Sequence, residues 1–571
     1  MAIKGELAIW EAETDGIELL NWTIGDLLDR QAHMRPEKEA LVYAYPEQGL
    51  HLRLTYQQYR TAVDLLAKGL LALGIRKDTH VAIWAQNVPE WILLHLALAR
   101  IGAVMITLNT AYKTAEVEYV LRQGDVSHLF LTEGFRGNSF LASLSQVVPE
   151  LTTLIDPLQQ TLQSARLPHL KRVVLIGASG EPGLLPYDQL ATLAERITDA
   201  ELEEHKARVT PQDIALIMYT SGTTGFPKGA MLTHSNLINT QHMLARGQDL
   251  SADRYVNPMP LFHISGVNSV LAALLNGMTL IQLIAFDPTK ELELLTRERG
   301  TISCGVPTMF IALLAHPGLS SGAFDLSALR LIYTGGTTIP TVLMEQLKAR
   351  MGAECTILFG QTESTASGTM TLDEDSFERK STTVGKPTPY LDLKIIDPLT
   401  GQAVRLGERG EVLLRGFAVM KGYYNMLEKT VETLDRENWL HTGDLATMDA
   451  EGYVRVVGRV KDMIIRGGEN VYPAEIEQLL MRHAKVADAQ VVGVPDARMG
   501  EEAAAAIRLK PGEQATSDEL REYCLAHISR YKVPRYFLFV MSYPLTASGK
   551  IKKFELRTQL MQQLGMQEDV V

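Results

Sequence analysis

Cysteine is scarce in this chain: Cys304, Cys355 and Cys524 are the only three among 571 residues, and they stand far apart. That excludes a cysteine-cluster zinc site and a disulfide framework, and it fits a reducing compartment. An excess of positive charge is missing as well. With a formal net charge of −12 and a pI near 5.7, no nucleic-acid partner is expected, and any phosphate-bearing ligand must be held by local features. Long apolar runs are also lacking. The most apolar stretch, Trp91 to Leu108, is broken by His95, Arg100 and Gly102, whereas a spanning helix needs about 20 nearly uncharged residues. It reads as a buried helix running into a strand. Met1 to Gly16 carries several acids and no apolar core, so neither a secretory signal nor a transit peptide is expected and a cytoplasmic location follows.

Hydrophobic residues, at 46%, are ample, and the length exceeds what one core supports, so at least two domains are expected. Helix and strand alternate along the first half. Thr55 and Gln58 make a capping box, Tyr59, Val63, Leu66 and Leu70 share a helical face, and Gly74 closes that helix before an apolar strand at Val81–Trp84. Pro89 opens a further helix, Val104–Leu108 reads as a strand, Thr114–Gln123 as a helix and Ser127–Leu131 as a strand. This is the rhythm of a mainly parallel sheet. A second αβ run is expected around strands Val173–Ile176 and Ile214–Tyr219. From about Val384 to Arg459 short strands and frequent glycines predict a β-rich subdomain. The last hundred or so residues read as a separate small α/β unit, with strands near Gln490–Val494 and Ala504–Leu509 and a helix capped by Thr516 and Glu519. The expected boundaries are 1–460 and 461–571.

The strongest chemical signal is Tyr219-Thr-Ser-Gly-Thr-Thr-Gly-Phe-Pro-Lys-Gly229. Backbone N–H groups freed by Gly222 and Gly225, hydroxyls from Thr220, Ser221, Thr223 and Thr224, and the charge of Lys228 suit it to cradle phosphates. It is not a Walker loop, because Lys228 follows Pro227 and precedes Gly229.

That loop resembles the signature of the adenylate-forming superfamily, which includes acyl-CoA synthetases, peptide-synthetase adenylation domains and luciferase. Further motifs follow in the family's order: Pro260-Leu-Phe-His-Ile-Ser-Gly266, Tyr333-Thr-Gly-Gly-Thr337, Leu358-Phe-Gly-Gln-Thr-Glu363, His441-Thr-Gly-Asp-Leu445, Gly458-Arg-Val-Lys-Asp462 with its continuation to Ile476, and Pro544-Leu-Thr-Ala-Ser-Gly-Lys-Ile551. The resemblance covers nearly the whole chain. It implies an α/β fold with a large N-terminal domain of two αβ subdomains plus a β-rich subdomain, and a small mobile α+β C-terminal domain. It also implies an acid–thiol ligase that uses ATP, Mg²⁺ and coenzyme A, making an acyl-adenylate and then a thioester.

The resemblance assigns roles to individual residues. Glu363, with Thr220, would hold Mg²⁺ against the triphosphate, a task suited to hard oxygen donors. Gly335, Gly336, Thr337, Phe359, Gly360, Gln361 and Thr362 would surround the adenosine, Asp444 the ribose, and Arg459 the ribose or phosphates. His263, Val267, Gly335 and Gln361 would line the acyl pocket. Lys550 would bridge the carboxylate and the α-phosphate, Lys461 would be a hinge, and Gly467 and Gly468 would leave room for a pantetheine tunnel. Arg466, Arg530, Lys532 and Arg535 are candidates for the nucleotide end of coenzyme A by charge alone.

The small neutral residues around the pocket motifs lead to the expectation of a mainly apolar acid. Met259-Pro-Leu-Phe-His263, Arg297-Glu-Arg-Gly-Thr301 and the segments around Lys461 and Lys550 are most similar to medium-chain fatty acyl-CoA synthetases. Aryl, branched and specialised acids stay open, as does an acyl carrier protein in place of free coenzyme A. Monomer and homodimer are equally compatible with the sequence.

Overall fold

The computed structural model describes every residue except 1, 2, 4, 15, 178, 179, 221–226, 337, 338, 468, 497, 547, 548 and 567–571, and the side chain of Asn470. Among the described residues the strands gather into four principal sheets. A seven-stranded sheet holds His80–Trp84, Val104–Thr107 and His128–Leu131 in parallel, flanked by Arg172–Leu175 on one side and Ile214–Thr220 on the other. The two strands expected to begin a second αβ run therefore complete the first sheet.

The second sheet has nine strands, and its centre is the parallel series Glu354–Phe359, Leu331–Gly335, Ile302–Gly305, Arg254–Asn257 and Thr279–Gln282. Its far edge comes from early in the chain: Glu39–Tyr45 pairs in parallel with Thr279–Gln282, and Leu50–Thr55 folds back on it. Helices cover both sheets because their strands are apolar on both faces. One core cluster joins them through helices Ile24–Met34, Tyr56–Ala72, Pro89–Arg100 and Ile264–Asn276.

The β-rich unit is an antiparallel sheet of Leu391–Ile396, Gly410–Gly416, Leu440–Met448 and Val454–Arg459, with the N-terminal strand Ile9–Trp10 added at its edge. The fourth sheet is made only of residues after 463, namely Ile464–Arg466, Glu469–Val471, Val486–Asp496, Gly500–Leu509 and Tyr536–Phe539. Its two core clusters draw on that region alone. Among the described residues no helix is long and apolar enough to cross a membrane.

The core holds several ionisable groups whose burial sets an acid limit on stability. His95, His128 and His234 are at most 4% exposed, and desolvation pushes them down to about 3, about 3 and about 4. Their folded values lie below the unfolded value of about 6.5, so stability is lost as pH falls below about 6.5 and the unfolded chain takes up protons that the folded chain refuses. Buried Glu291, raised to about 8 by desolvation, acts with the opposite sign because it is already protonated in the fold. Among these four groups the three histidines outnumber the one carboxyl, so their balance favours unfolding as pH falls below about 6.5. Urea midpoints measured at pH 7, 6 and 5 should fall steeply. A flat series would mean that these histidines titrate freely in the fold.

Candidate active site

A cleft of about 2540 Å³ opens between the nine-stranded sheet, the β-rich sheet and the C-terminal unit. Its walls are built from strand ends. Strand Leu331–Gly335 ends on Gly336, whose φ of +78° suits glycine. Strand Glu354–Phe359 delivers Phe359, Gly360 and Gln361, all of which line the cleft. Phe359 is half-buried and also packs on the core of the β-rich sheet.

Glu363 follows in a single 3₁₀ turn, Thr362–Ser364, and is 7% exposed. The turn is held in a strained form, since Thr365 and Ala366 both take positive φ. The Thr365 hydroxyl donates to the Ala418 carbonyl (2.7 Å), and the Asn268 amide donates to the Thr365 carbonyl (2.9 Å). Glu363 thereby receives two hydroxyl donors on Oε1, Thr220 at 3.1 Å and Tyr423 at 2.7 Å. A buried carboxylate beside a threonine hydroxyl in a cleft fits an Mg²⁺ ion held by one carboxylate plus substrate phosphates. Such an ion would offset phosphate charge.

The phosphate-binding motif is flanked by a hairpin, strand Ile214–Thr220 pairing antiparallel with Lys228–Thr233. Ser221, Gly222, Thr223, Thr224 and Gly225 lie outside the described residues, as do Thr337 and Gly468. Thr220 and Lys228 both line the cleft. The Lys228 ammonium stands 4.4 Å from the centroid of the Tyr423 ring, so one tyrosine positions the motif's cation with its face and Glu363 with its hydroxyl. Sequence reasoning missed Tyr423. Its signal is tertiary: Tyr423 bridges Ala230, and the Met231 amide bonds the Gly422 carbonyl.

Asp444 and Arg459 are cross-strand partners in the β-rich sheet, and Arg459 Nε donates to Asp444 Oδ1 at 2.7 Å. Burial raises Asp444 from its usual range against the pull of Arg459. Its carboxylate is thus a desolvated acceptor that gains from ligand hydroxyls.

Lys550 reaches this group from the C-terminal unit. A β-carbon placed on Gly336 would lie 3.0 Å from Lys550 Cε and 3.2 Å from Nζ, so the absence of a side chain at 336 makes room for the lysine. Gly549 anchors the loop by accepting from the Thr308 hydroxyl at 3.1 Å. A second contact lies farther out, where the Arg409 guanidinium covers the Tyr472 ring at 4.7 Å and meets Glu475 at 3.5 Å. Burial, then Arg459, lowers the Lys550 ammonium from the usual lysine value, while Asp444 and Glu363 pull it back. An arriving anion would favour the charged form further.

His263 caps helix Ile264–Asn276: its Nδ1 accepts from the Ser265 amide at 3.3 Å and lies 2.8 Å from the Ser265 hydroxyl. Burial and the nearby Lys550 charge push it down to about 3. It is therefore neutral, with its proton assigned to Nε2 because Nδ1 accepts. That leaves an N–H to offer a carboxylate.

Two sequence expectations need correction or qualification. Val267 is fully buried and does not line the cleft; the cleft is lined by Ile264 at the start of its helix and by Ser265, Asn268, Ser269, Ala272 and Asn276. Residue 267 falls on the opposite face of the 3.6-residue period. Gly467, with φ of +59°, is exposed and packs against Met499 outside the cleft. Of the four basic residues singled out by charge, Arg466 pairs with Glu502, Lys532 with Glu475 and Arg535 with Asp496.

Residues 28–424 match the AMP-binding enzyme family, and residues 475–550 match the AMP-binding enzyme C-terminal domain. The chain belongs to the AMP-binding enzyme family. YngI of Bacillus subtilis (strain 168) is 44% identical over 96% of this chain and 99% of its own length. The mitochondrial medium-chain acyl-CoA ligase ACSF2 of Rattus norvegicus is 39% identical over 98% of this chain and 91% of its own length. Among solved structures, the anthranilate CoA ligase AuaEII in complex with anthranoyl-AMP superposes with a TM-score of 0.82 at 26% identity, covering 97% of this chain and 100% of that one. A Mycobacterium tuberculosis fatty acyl CoA synthetase superposes with a TM-score of 0.70 at 30% identity, covering 95% and 99%. The α/β fold with a large N-terminal part and a small C-terminal part is shared with both.

Proposed function

We infer that this member of the AMP-binding enzymes is an ATP-dependent acid–CoA ligase that activates an apolar carboxylic acid as acyl-AMP, releases pyrophosphate and transfers the acyl group to coenzyme A. The observation that carries the reading is the meeting of Lys550 with Gly336 in a cleft where Glu363, Asp444 and Arg459 also act on its charge. Two anions, a carboxylate and an α-phosphate, must approach one another in adenylation. A fixed cation between them offsets their repulsion and the charge that shifts onto the leaving pyrophosphate. The His263 Nε2–H supports orientation of the carboxylate, and Asp444 with Arg459 supports capture of the ribose.

Thioester formation needs the adenylate open to a thiol, and Lys550 lines the cleft beside Gly336. Residues 461–571 are accordingly proposed to rotate about Lys461 as a unit, taking Lys550 out and bringing the Gly467 turn in. Free coenzyme A is the proposed acceptor. Three free, buried cysteines support the proposed cytoplasmic setting.

The acid is proposed to be a medium-chain fatty acid. Its proposed path runs along the cleft-lining side of helix Ile264–Asn276 from Ser265 to Asn276, about 16 Å at 1.5 Å per residue. At about 1.3 Å advance per carbon this holds about a dozen carbons. Tyr255, Met259, Ala272, Cys304 and Val306 supply apolar contact. With ATP, Mg²⁺ and such an acid, AMP and pyrophosphate should appear in equal amounts. ADP as the main nucleotide product would overturn the reading.

A further inference from the structure

Asp444 stands on an irregular stretch of its strand. Across the pair Gly410–Gly416 and Leu440–Met448, Glu411 is in register with Leu445 and Leu413 with His441, so Val412 alone faces Thr442, Gly443 and Asp444. A bulge of this kind breaks the ladder and re-aims side chains. Thr442, Gly443 and Asp444 all line the cleft, while Asp444 keeps its register with Arg459 on the other side. Gly443 takes a φ of +69°, which glycine adopts without strain.

A bulge takes amides out of the ladder, and each then needs another acceptor. The Asp444 amide donates to the Thr442 hydroxyl at 3.1 Å, and that hydroxyl donates to the Val412 carbonyl at 2.7 Å. The Gly443 amide is met from across the pair by Glu411 Oε1 at 3.0 Å. The second oxygen, Glu411 Oε2, lies 3.1 Å from His441 Nδ1, and this contact is the main cause that holds His441 above the ordinary imidazole value. One carboxylate therefore ties the residues on both sides of Thr442. Its side chain is only 12% exposed, so water competes weakly for either oxygen. Glu411 lies thirty residues before His441, outside the motif that marks Asp444.

We propose that Glu411 is a positioning residue for nucleotide capture: by holding the Gly443 amide it fixes the bulge, and through the bulge it sets the reach of Asp444 to the ribose hydroxyls of ATP. A hydrogen bond to such a hydroxyl spans about 2.5–3.0 Å, so a displacement of Asp444 by about 1 Å removes it. The inference rests on the ligase reading above, in which Asp444 accepts from the ribose.

The test follows pyrophosphate release by the full chain with Mg²⁺, a panel of saturated fatty acids, and ATP, 2′-deoxyATP or 3′-deoxyATP. The wild type should prefer ATP over at least one deoxy analogue by about tenfold or more in kcat/KM, the scale of a hydrogen bond to a charged acceptor. In Glu411→Ala the KM for ATP should rise about tenfold with a much smaller change in kcat, and the preference over that analogue should all but vanish. Glu411→Asp keeps the charge but falls one methylene short of Gly443, and it should share the defect. Glu411→Gln keeps an oxygen for the Gly443 amide at the same reach, and it should restore most of the preference. In an Asp444→Ala background Glu411→Ala should add little, because both act on the same contact. Melting temperatures show which variants are folded, and Glu411→Asp against Glu411→Gln carries the comparison if Glu411→Ala is not. A preference for the ribose hydroxyl that survives in Glu411→Asp, that is not restored in Glu411→Gln, or that is missing from an active wild type would overturn the positioning role alone. A wild type that releases no pyrophosphate from ATP with any acid would overturn the ligase reading, and this inference with it.

Discussion

Lys550→Ala is expected to slow acyl-adenylate formation about 10²- to 10³-fold while leaving thioester formation from supplied acyl-AMP and coenzyme A near the wild-type rate. The first figure follows from deleting one preorganised donor in a water-poor site, worth about 2.7–4 kcal/mol. Lys550 has little freedom to be replaced by a neighbour. It fills the space left by Gly336, and its loop is anchored by Thr308. The second figure follows from the proposed rotation, which removes residue 550 from the cleft before the thiol arrives. Rapid-quench assays of the two half-reactions separate these outcomes. Equal slowing of both would show that Lys550 does not leave between them.

Gly467→Leu is a poorer complement than the sequence suggests. A β-carbon there meets Met499 Cε at 2.5 Å, on a backbone with φ of +59°. The substitution strains its own turn whatever the thiol does, so a loss of thioester formation would carry two causes.

Glu363→Gln is expected to cut adenylation by about 10²-fold or more, the scale of losing one charge-stabilising group at the reacting phosphates, and to raise the Mg²⁺ concentration needed for half-maximal rate. The amide keeps the shape of the carboxylate but loses the charge that suits a hard cation. Tyr423→Phe gives a graded companion. It removes one of the two hydroxyl donors on Glu363 Oε1 but keeps the ring beneath Lys228. Its effect on the Mg²⁺ titration should fall between wild type and Glu363→Gln. An unchanged magnesium titration in Glu363→Gln would remove Glu363 from the metal site.

Much of the site was legible because its residues sit at strand ends within short motifs. Asp444 and Arg459 are fifteen residues apart in sequence, yet a hairpin-like antiparallel register makes them direct partners. The Glu363 turn immediately follows an apolar strand whose pattern is plain. What was not legible depends on pairing between distant segments. Tyr423 reaches Glu363 only because its loop bridges Ala230 across the hairpin. Ile9–Trp10 is too short for any periodic pattern and is recognised as a strand only through its pairing with Leu391–Ile396. Glu39–Tyr45 lies outside the elements read from the sequence, and nothing local says that it joins the sheet of residues two hundred positions later. Val267 illustrates a subtler failure. Its motif marks the right helix, but apolar character does not distinguish the face toward a cleft from the face toward a core.

The attachment of the Lys550 loop has a kinetic meaning beyond its geometry. Apart from the lysine itself, this end of the chain meets the sheets above it through a threonine hydroxyl on Gly549, the exposed Arg409 facing Tyr472 and Glu475, and helix Pro473–Met481 against strand Val454–Arg459. Exposed pairs of this kind contribute about 0–1 kcal/mol each and weaken with salt. In the mechanism proposed above, anions in the cleft would add to the hold on Lys550, and that contribution would fade when pyrophosphate departs. Loss of the first product would then serve as the release signal for the proposed second step, coupling the order of the two half-reactions to what the cleft holds.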